Sequence, residues 1–262
     1  MKTTLFFLIY FMLGGYSFAQ HAPSDAHNKV MFDAVGMPAK AIRTVGILVY
    51  PGCNDLDFMG PRYVLGQYMG AKTMLIGTRP GTIRTVMGVS ILTDTLMDQV
   101  AQLDVLVVPG GAQGTIDVAN DKRVLAWLQK IDPQTQITSS VCTGAWVLGA
   151  AGVLNGKSVS TNWYRAAETM LQFGATYTGK RYTQDGKYWT AAGVTAGLDM
   201  SLALLRHLWS EPYAQAVMLD MEYDPAPPFE GGSPKRSPKP VFELMQAMYD
   251  MGMREQVRQL KR

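Results

Sequence analysis

Histidine is nearly absent from this chain: three among 262 residues. His21 and His27 lie near the N-terminus, and His207 lies well inside an apolar, helix-prone stretch. None stands where it would pair with a cysteine, which argues against a peptidase or amidotransferase couple of the usual kind. Cysteine is almost as scarce. Cys53 and Cys142 are the only two, too few for a disulfide scaffold or a cysteine-rich zinc site. Charged residues make up 17% of the chain and the net charge is only +3. Basic residues cluster only at Lys235-Arg236 and from Arg254 to Arg262. A nucleic-acid surface wants a clustered basic face, so no nucleic-acid partner is expected. After Leu5–Leu13 no second long apolar run occurs, and there is no internal repeat.

That first run has a purpose of its own. Lys2 supplies a basic start, Leu5 to Leu13 an apolar core, and Ser17 and Ala19 a small-x-small cleavage site. The core is too short for a membrane span, which needs about 20 residues. Residues 1–19 therefore read as a signal peptide cut after Ala19, with export, most plausibly to a bacterial periplasm, and no membrane attachment afterwards. Cleavage removes Lys2 and no acid, which lowers the net charge from +3 to +2. An exported protein meets conditions that permit disulfides, so a Cys53–Cys142 bond, structural or reversible, stays open.

Residues 20–42 are polar and mixed and read as a flexible lead-in; the two histidines there are weak grounds for metal binding. From Thr44 the pattern changes. Val45 to Tyr50 is a continuous apolar run suited to a strand buried on both faces, Leu103 to Val108 reads as another buried strand, and Ile137 to Val141 as an apolar and β-prone strand. Thr73 to Gly77 and Val159 to Thr161 read as further strands. Thr85 to Leu96 reads as a hairpin around Met87-Gly88, and Arg181 to Ala191 as another, turning at Asp185-Gly186. Helices are expected after Pro61, taken as a first-turn proline, and over 122–131, 144–154, 166–173, 197–209, 212–219 and 241–260. Alternating strands and helices predict a doubly wound α/β domain with a mostly parallel sheet, over residues 43–222. A proline-rich tail and a C-terminal helix follow over 223–262. That helix, with Phe242, Met245, Met248 and Tyr249 on one face, either packs on the domain or forms a dimer contact.

The chemistry centres on Ser140-Val141-Cys142-Thr143-Gly144, a strand running into a small-residue helix. This is the pattern of a nucleophile elbow, with cysteine where hydrolases carry serine. The helix N-terminus is expected to favour the thiolate. In an open α/β sheet the ligand site lies beyond the carboxyl ends of the strands. Pro51 to Asp57, Pro109 to Gln113, Cys142-Thr143 and Gly193 to Gly197 all fall there. Cys142 is the expected nucleophile and Asp57 the acid–base group, its pKa raised by apolar neighbours. The backbone N–H groups of Gly110, Gly111 and Thr143 are expected to stabilise developing charge, and the Thr143 hydroxyl to donate. Asp55, at a more exposed turn, is the weaker acid candidate.

These stretches resemble the ThiJ/PfpI superfamily, within the class I glutamine amidotransferase-like (flavodoxin-like) fold, and most resemble its isonitrile hydratase branch. The resemblance is carried by Tyr50-Pro51 with Leu56-Asp57 and Gly60-Pro61, by Val107 to Gly111, and by Ser140 to Gly144. It continues through Leu148 to Leu154, Gly193 to Gly197, and Glu222-Tyr223 through Pro227-Pro228-Phe229 to Gly232-Ser233-Pro234. It implies hydration of an isonitrile to an N-substituted formamide through a Cys142 adduct, with Asp57 moving protons and Thr143 assisting. It implies a homodimer, a small-molecule substrate, and no metal or organic cofactor. Two departures bear on substrate: Asn162 stands where the branch carries histidine, and Ala191-Ala192-Gly193 replaces an all-glycine run. A non-catalytic, redox-responsive or ligand-binding protein using Cys142 with Cys53 is the alternative.

Overall fold

The computed structural model describes residues 25–260. The expected signal peptide and its cut after Ala19 lie outside the described residues. Within the lead-in, α1 (Asp25–Val35) is helical and is tied down at its end. Trp209 Nε1 donates to Gly36 O at 2.7 Å, and the Phe32 and Trp209 rings stack.

The framework is a seven-stranded sheet. Its strands are β1 (Thr44–Val49), β2 (Lys72–Gly77), β5 (Thr95–Leu96), β6 (Val105–Val108), β7 (Ile137–Val141), β10 (Tyr182–Asp185) and β11 (Tyr188–Ala191). They lie in the order β10-β11-β7-β6-β1-β2-β5. Every pairing is parallel except β10 with β11. β6 and β7 are buried along their whole length, and β1 from Val45 onward, as helices covering both faces require; in β7 the buried Thr138 and Ser139 hydroxyls are bonded internally. Two short pairs stand apart: β3 (Ile83–Arg84) with β4 (Ser90–Ile91), and β8 (Ser158–Val159) with β9 (Thr176–Tyr177). The hairpin expected over 85–96 is thus divided. Its turn and β4 belong to the small pair, while Thr95–Leu96 joins the main sheet beside β2.

The helices are α2 (Asp55–Gly66), α3 (Ala112–Ala119), α4 (Lys122–Ile131), α5 (Gly144–Ala150), α6 (Ala166–Gln172), α7 (Ala196–Leu208), α8 (Glu211–Asp220) and α9 (Lys239–Gln259). α4 shows the logic. Asp121 caps its first turn by accepting from Arg123 N at 2.9 Å, and Val124, Trp127, Leu128 and Ile131 bury one stripe. α2 begins earlier than Pro61 suggests. Asn54 caps it, so Pro61 falls inside the helix. Proline has no N–H to give the carbonyl four residues back, which is that of Asp57. α3 has no counterpart among the helices expected from sequence. Its run Ala112–Ala119 is short and glycine-interrupted, and it is helical because Ile116, Val118 and Ala119 bury in the core.

β1 leads to β2 on one side and β6 lies on the other, so the connection reverses direction between β1 and β6. The crevice at such a switch point is where doubly wound sheets bind ligands. The loops after β1, β6, β7 and β11 meet there.

Candidate active site

Cys142 ends β7 with φ +59, a left-handed conformation rare for any residue other than glycine. Two bonds hold it there: Cys142 N donates to Ala191 O at 3.1 Å, and Thr161 Oγ1 donates to Cys142 O at 2.8 Å. Gly144 lets the elbow close, since a Cβ there would collide with the Val108 and Pro109 carbonyls. Both cysteines are free and buried, so no disulfide joins Cys53 to Cys142 in the structure.

Asp57, on the first turn of α2, is fully buried beside the sulfur. Its Oδ2 accepts Gly110 N at 3.0 Å, and the carboxyl lies close enough to the Cys142 thiol for each group to shift the other's pKa. Its Oδ1 has no partner. Burial raises its pKa to about 7, against the pull of the Gly110 and Cys142 bonds. The upward shift expected of Asp57 follows from this burial. The thiolate expected of Cys142 is not favoured. Burial, then the neighbouring Asp57 charge, push the thiol up to about 12. The short helix behind it does not offset that desolvation. Cys53 is likewise pushed up to about 11 by burial.

The glycine pair works differently from the expectation. Gly110 N is taken by Asp57, and Gly111 N donates to Thr143 Oγ1 at 3.1 Å. These amides hold the acid and the threonine in place and are not free for substrate charge. Thr143 is corrected in the same way. Its hydroxyl faces Gly111 N and Thr115 Oγ1, 2.7 Å away, while its backbone N–H faces the sulfur. The donors around Cys142 Sγ are the N–H groups of Thr143 and Val194 and the Asn162 side chain, whose Nδ2 stands 3.6 Å from sulfur. Asn162 thus belongs to the site, with Oδ1 accepting Tyr164 N at 2.9 Å. Asp55 is buried rather than exposed. It accepts from Thr85 Oγ1 at 2.8 Å and from Met87 N, tying the β3–β4 turn to α2.

Sequence reasoning missed Thr115, Tyr50, Thr161 and Tyr249. Thr115 and Tyr50 extend the buried hydroxyl chain under Thr143. The Gly193–Gly197 stretch had been placed at this edge, and Val194 is its contributing residue. A cavity of about 550 Å³ opens alongside, walled by Thr161, Asn162, Ala192, Val194 and, across it, Tyr249. Among the described residues no group of three or more His, Cys, Asp or Glu is gathered to hold a metal ion.

A mostly parallel α/β sheet with a cysteine elbow and an adjoining buried carboxyl defines a class of cysteine-centred proteins. Residues 43–207 match the model of the DJ-1/PfpI family, and the chain belongs to that family. It is 35% identical over 199 residues to the isonitrile hydratase of Pseudomonas putida, covering 76% of this chain and 86% of that protein. A solved ThiJ/PfpI family protein from Pseudomonas syringae superposes with TM-score 0.84 at 32% identity, covering 92% of this chain and 98% of that one. The structure of Drosophila melanogaster DJ-1beta shares the fold, with TM-score 0.62 at 24% identity over 70% of this chain and 98% of its own.

Proposed function

We propose that this protein is a cysteine-dependent enzyme that adds water to a small electrophile through a covalent Cys142 adduct, as an isonitrile hydratase does. The observation that carries this reading is the Asp57–Cys142 pair. A buried carboxyl, its pKa raised to about 7 and one of its oxygens unpartnered, lies beside the thiol. The similarity to the Pseudomonas putida enzyme supports the substrate class.

In this scheme the Cys142 proton passes to Asp57 as sulfur bonds to the isonitrile carbon. Asp57 returns that proton to the same carbon, which leaves a thioimidate. Asp57 then takes a proton from water as its oxygen bonds to the carbon and passes it to the imidate nitrogen; the remaining hydroxyl proton leaves as the carbonyl forms and goes through Asp57 to sulfur. The C–S bond breaks, its electron pair returns to sulfur, and sulfur recovers its proton. The sum is one isonitrile and one water giving one formamide. Thr143 N, Val194 N and Asn162 Nδ2 steady the charge on sulfur at each stage.

The enzyme is further read as an exported homodimer, processed after Ala19. The mass of the protein recovered from a periplasmic fraction tests the processing, and light scattering tests the dimer. The reaction is tested by NMR detection of formamide from a panel of small isonitriles, with Cys142→Ser alongside. Formamide from the wild type alone supports the reading; turnover by Cys142→Ser overturns it. The redox-responsive alternative predicts a Cys53–Cys142 disulfide or a sulfinic acid at Cys142 after mild peroxide. Two buried thiols with raised pKa values count against it.

A further inference from the structure

One end of the cavity of about 550 Å³ lies at the reacting sulfur, since Asn162 lines it and Asn162 Nδ2 stands 3.6 Å from Cys142 Sγ. A cavity of that size takes a small organic molecule. Its walls away from the sulfur come from three segments of different chemistry. The first is the turn between β9 and β10. Ser160 Oγ donates to Lys180 O at 2.8 Å, Lys180 N donates to Thr178 Oγ1 at 3.3 Å, and Ala192 N donates to Arg181 O at 2.9 Å. The turn is therefore pinned, and it presents Lys180 and Arg181 to the cavity. Arg181 is engaged already: it pairs with Asp199, and its Nη2 donates to Thr195 Oγ1 at 3.1 Å. Lys180 is exposed and joins no ion pair among the described residues.

The second segment is the tail. Arg236 Nε and Nη2 donate to Glu230 Oε2 at 3.0 and 2.6 Å and close a loop over 230–236. Within that loop Gly231 to Pro234 form a cavity wall. The third segment is aromatic: Trp163, Tyr177 and Tyr249 all line the cavity. The Trp163 and Tyr249 rings meet at 65° with centroids 5.3 Å apart, which makes a corner. Tyr164 Oη donates to Asp250 Oδ1 at 2.8 Å and seats α9 there. Aromatic rings prefer offset-stacked and edge-to-face partners, and a corner of two rings offers both.

We propose that the substrate of the Cys142 site is an aryl compound with an acidic substituent. Its ring lodges among Trp163, Tyr177 and Tyr249, and its anionic group meets Lys180. This assignment rests on the reading of Cys142 as nucleophile and names the substrate class: for the hydration, an aryl isonitrile bearing a carboxylate. The match to the family model ends at residue 207. Tyr249 and the 230–236 loop lie beyond it, so residues outside the family domain take part in choosing the ring.

The test is titration calorimetry of the whole protein with three amides of the product type: para-formamidobenzoate, N-phenylformamide and N-cyclohexylformamide. The expected Kd of para-formamidobenzoate is about three-fold below that of N-phenylformamide, a gap that shrinks in salt. The Kd of N-phenylformamide should in turn lie about three-fold below that of N-cyclohexylformamide. Lys180→Gln should close the first gap and leave N-phenylformamide binding unchanged. Lys235→Gln removes the same charge from an exposed position that does not line the cavity, and should leave the gap open. Equal affinity for the benzoate and its neutral analogue, or a gap that survives Lys180→Gln, overturns the anionic half of the proposal. N-cyclohexylformamide binding as tightly as N-phenylformamide overturns the aromatic half, and no binding of any of the three overturns both. Cys142→Ser should bind the series as the wild type does. The expected order of binding by a protein inert to isonitriles would sink the proposed reaction and keep the pocket assignment, while turnover of isonitriles with the order reversed would do the opposite.

Discussion

The hydroxyls of Thr115 and Thr143 stand 2.7 Å apart beneath the nucleophile, and their bond has a direction. Tyr50 gives its proton to Pro109 O at 2.6 Å, so at its contact with Thr115 it accepts. Thr115 has only one proton to give. Thr143 must therefore be the donor in the pair, while its oxygen takes the Gly111 N–H. Thr143 is locked from both sides. Replacing Thr115 by Val keeps the shape and removes one hydroxyl, leaving buried partners unsatisfied. The expected loss is about 1–3 kcal/mol in urea unfolding, with a lower kcat that a purely distant packing change would not produce.

Activity and stability should respond to pH in opposite directions through Asp57. The thiol does not ionise by itself near neutrality, so the reaction needs the Asp57 carboxylate to receive its proton. The ratio kcat/KM should rise with a midpoint near 7, and Asp57→Asn should abolish turnover. For stability the sign reverses. Burial raises Asp57 from 3.8 when unfolded to about 7 when folded, so between these values the folded state holds the extra proton. Its contribution is complete below pH 4 and is lost as pH rises through about 7, a swing on the order of 4 kcal/mol. The stability of wild type relative to Asp57→Asn should therefore fall from pH 4 to pH 8. A flat difference would remove Asp57 as the titrating group.

Gly110→Ala should damage the site directly. A Cβ there would stand 2.6 Å from both Thr143 N and Thr143 Oγ1 and 2.8 Å from Asp57 Oδ2. These are the atoms that organise the nucleophile, and Thr143 N is backbone. Accommodation would displace the acid and the sulfur's own donor. The expected outcome is loss of about 1–3 kcal/mol and loss of Cys142 alkylation below pH 8.

The cavity should favour substrates with an anionic substituent. Lys180, Arg181 and Arg236 line it, and among the described residues no carboxylate does. Arg181 is bonded to Asp199, and Arg236 to Glu230. Lys180 joins no ion pair among the described residues and carries most of the preference. A carboxylate-bearing substrate should show KM about three-fold below its neutral analogue, with the gain shrinking in salt. Lys180→Gln should erase the difference.

Much of this molecule can be read from its sequence, and the reasons are local. Continuous apolar runs announced β1 and β6, and β-prone residues announced β7, whose buried Thr138 and Ser139 satisfy their hydroxyls internally. The elbow at Cys142 was legible because a strand, a cysteine and a small-residue helix follow one another within a few positions. The apolar neighbours of Asp57 foretold its raised pKa. What misled was equally local. Pro61 looked like a first-turn proline, but Asn54 had already capped the helix. Cys142 at a helix start suggested a thiolate, but burial outweighed the dipole. α3 carried too weak a stripe to be found.

Sequence by itself determined the sheet, the elbow and the placing of Cys142 and Asp57 at one sheet edge, since each follows from neighbouring residues and from strand ends sharing that edge. Only the tertiary structure decided who donates to whom. The Gly110 and Gly111 amides could have served a substrate, and instead they hold Asp57 and Thr143. Thr115 and Tyr249 entered the site from α3 and α9, far away in the chain. A hydrogen bond depends on a few tenths of an ångström and on which partner holds the proton, and packing of distant segments sets both.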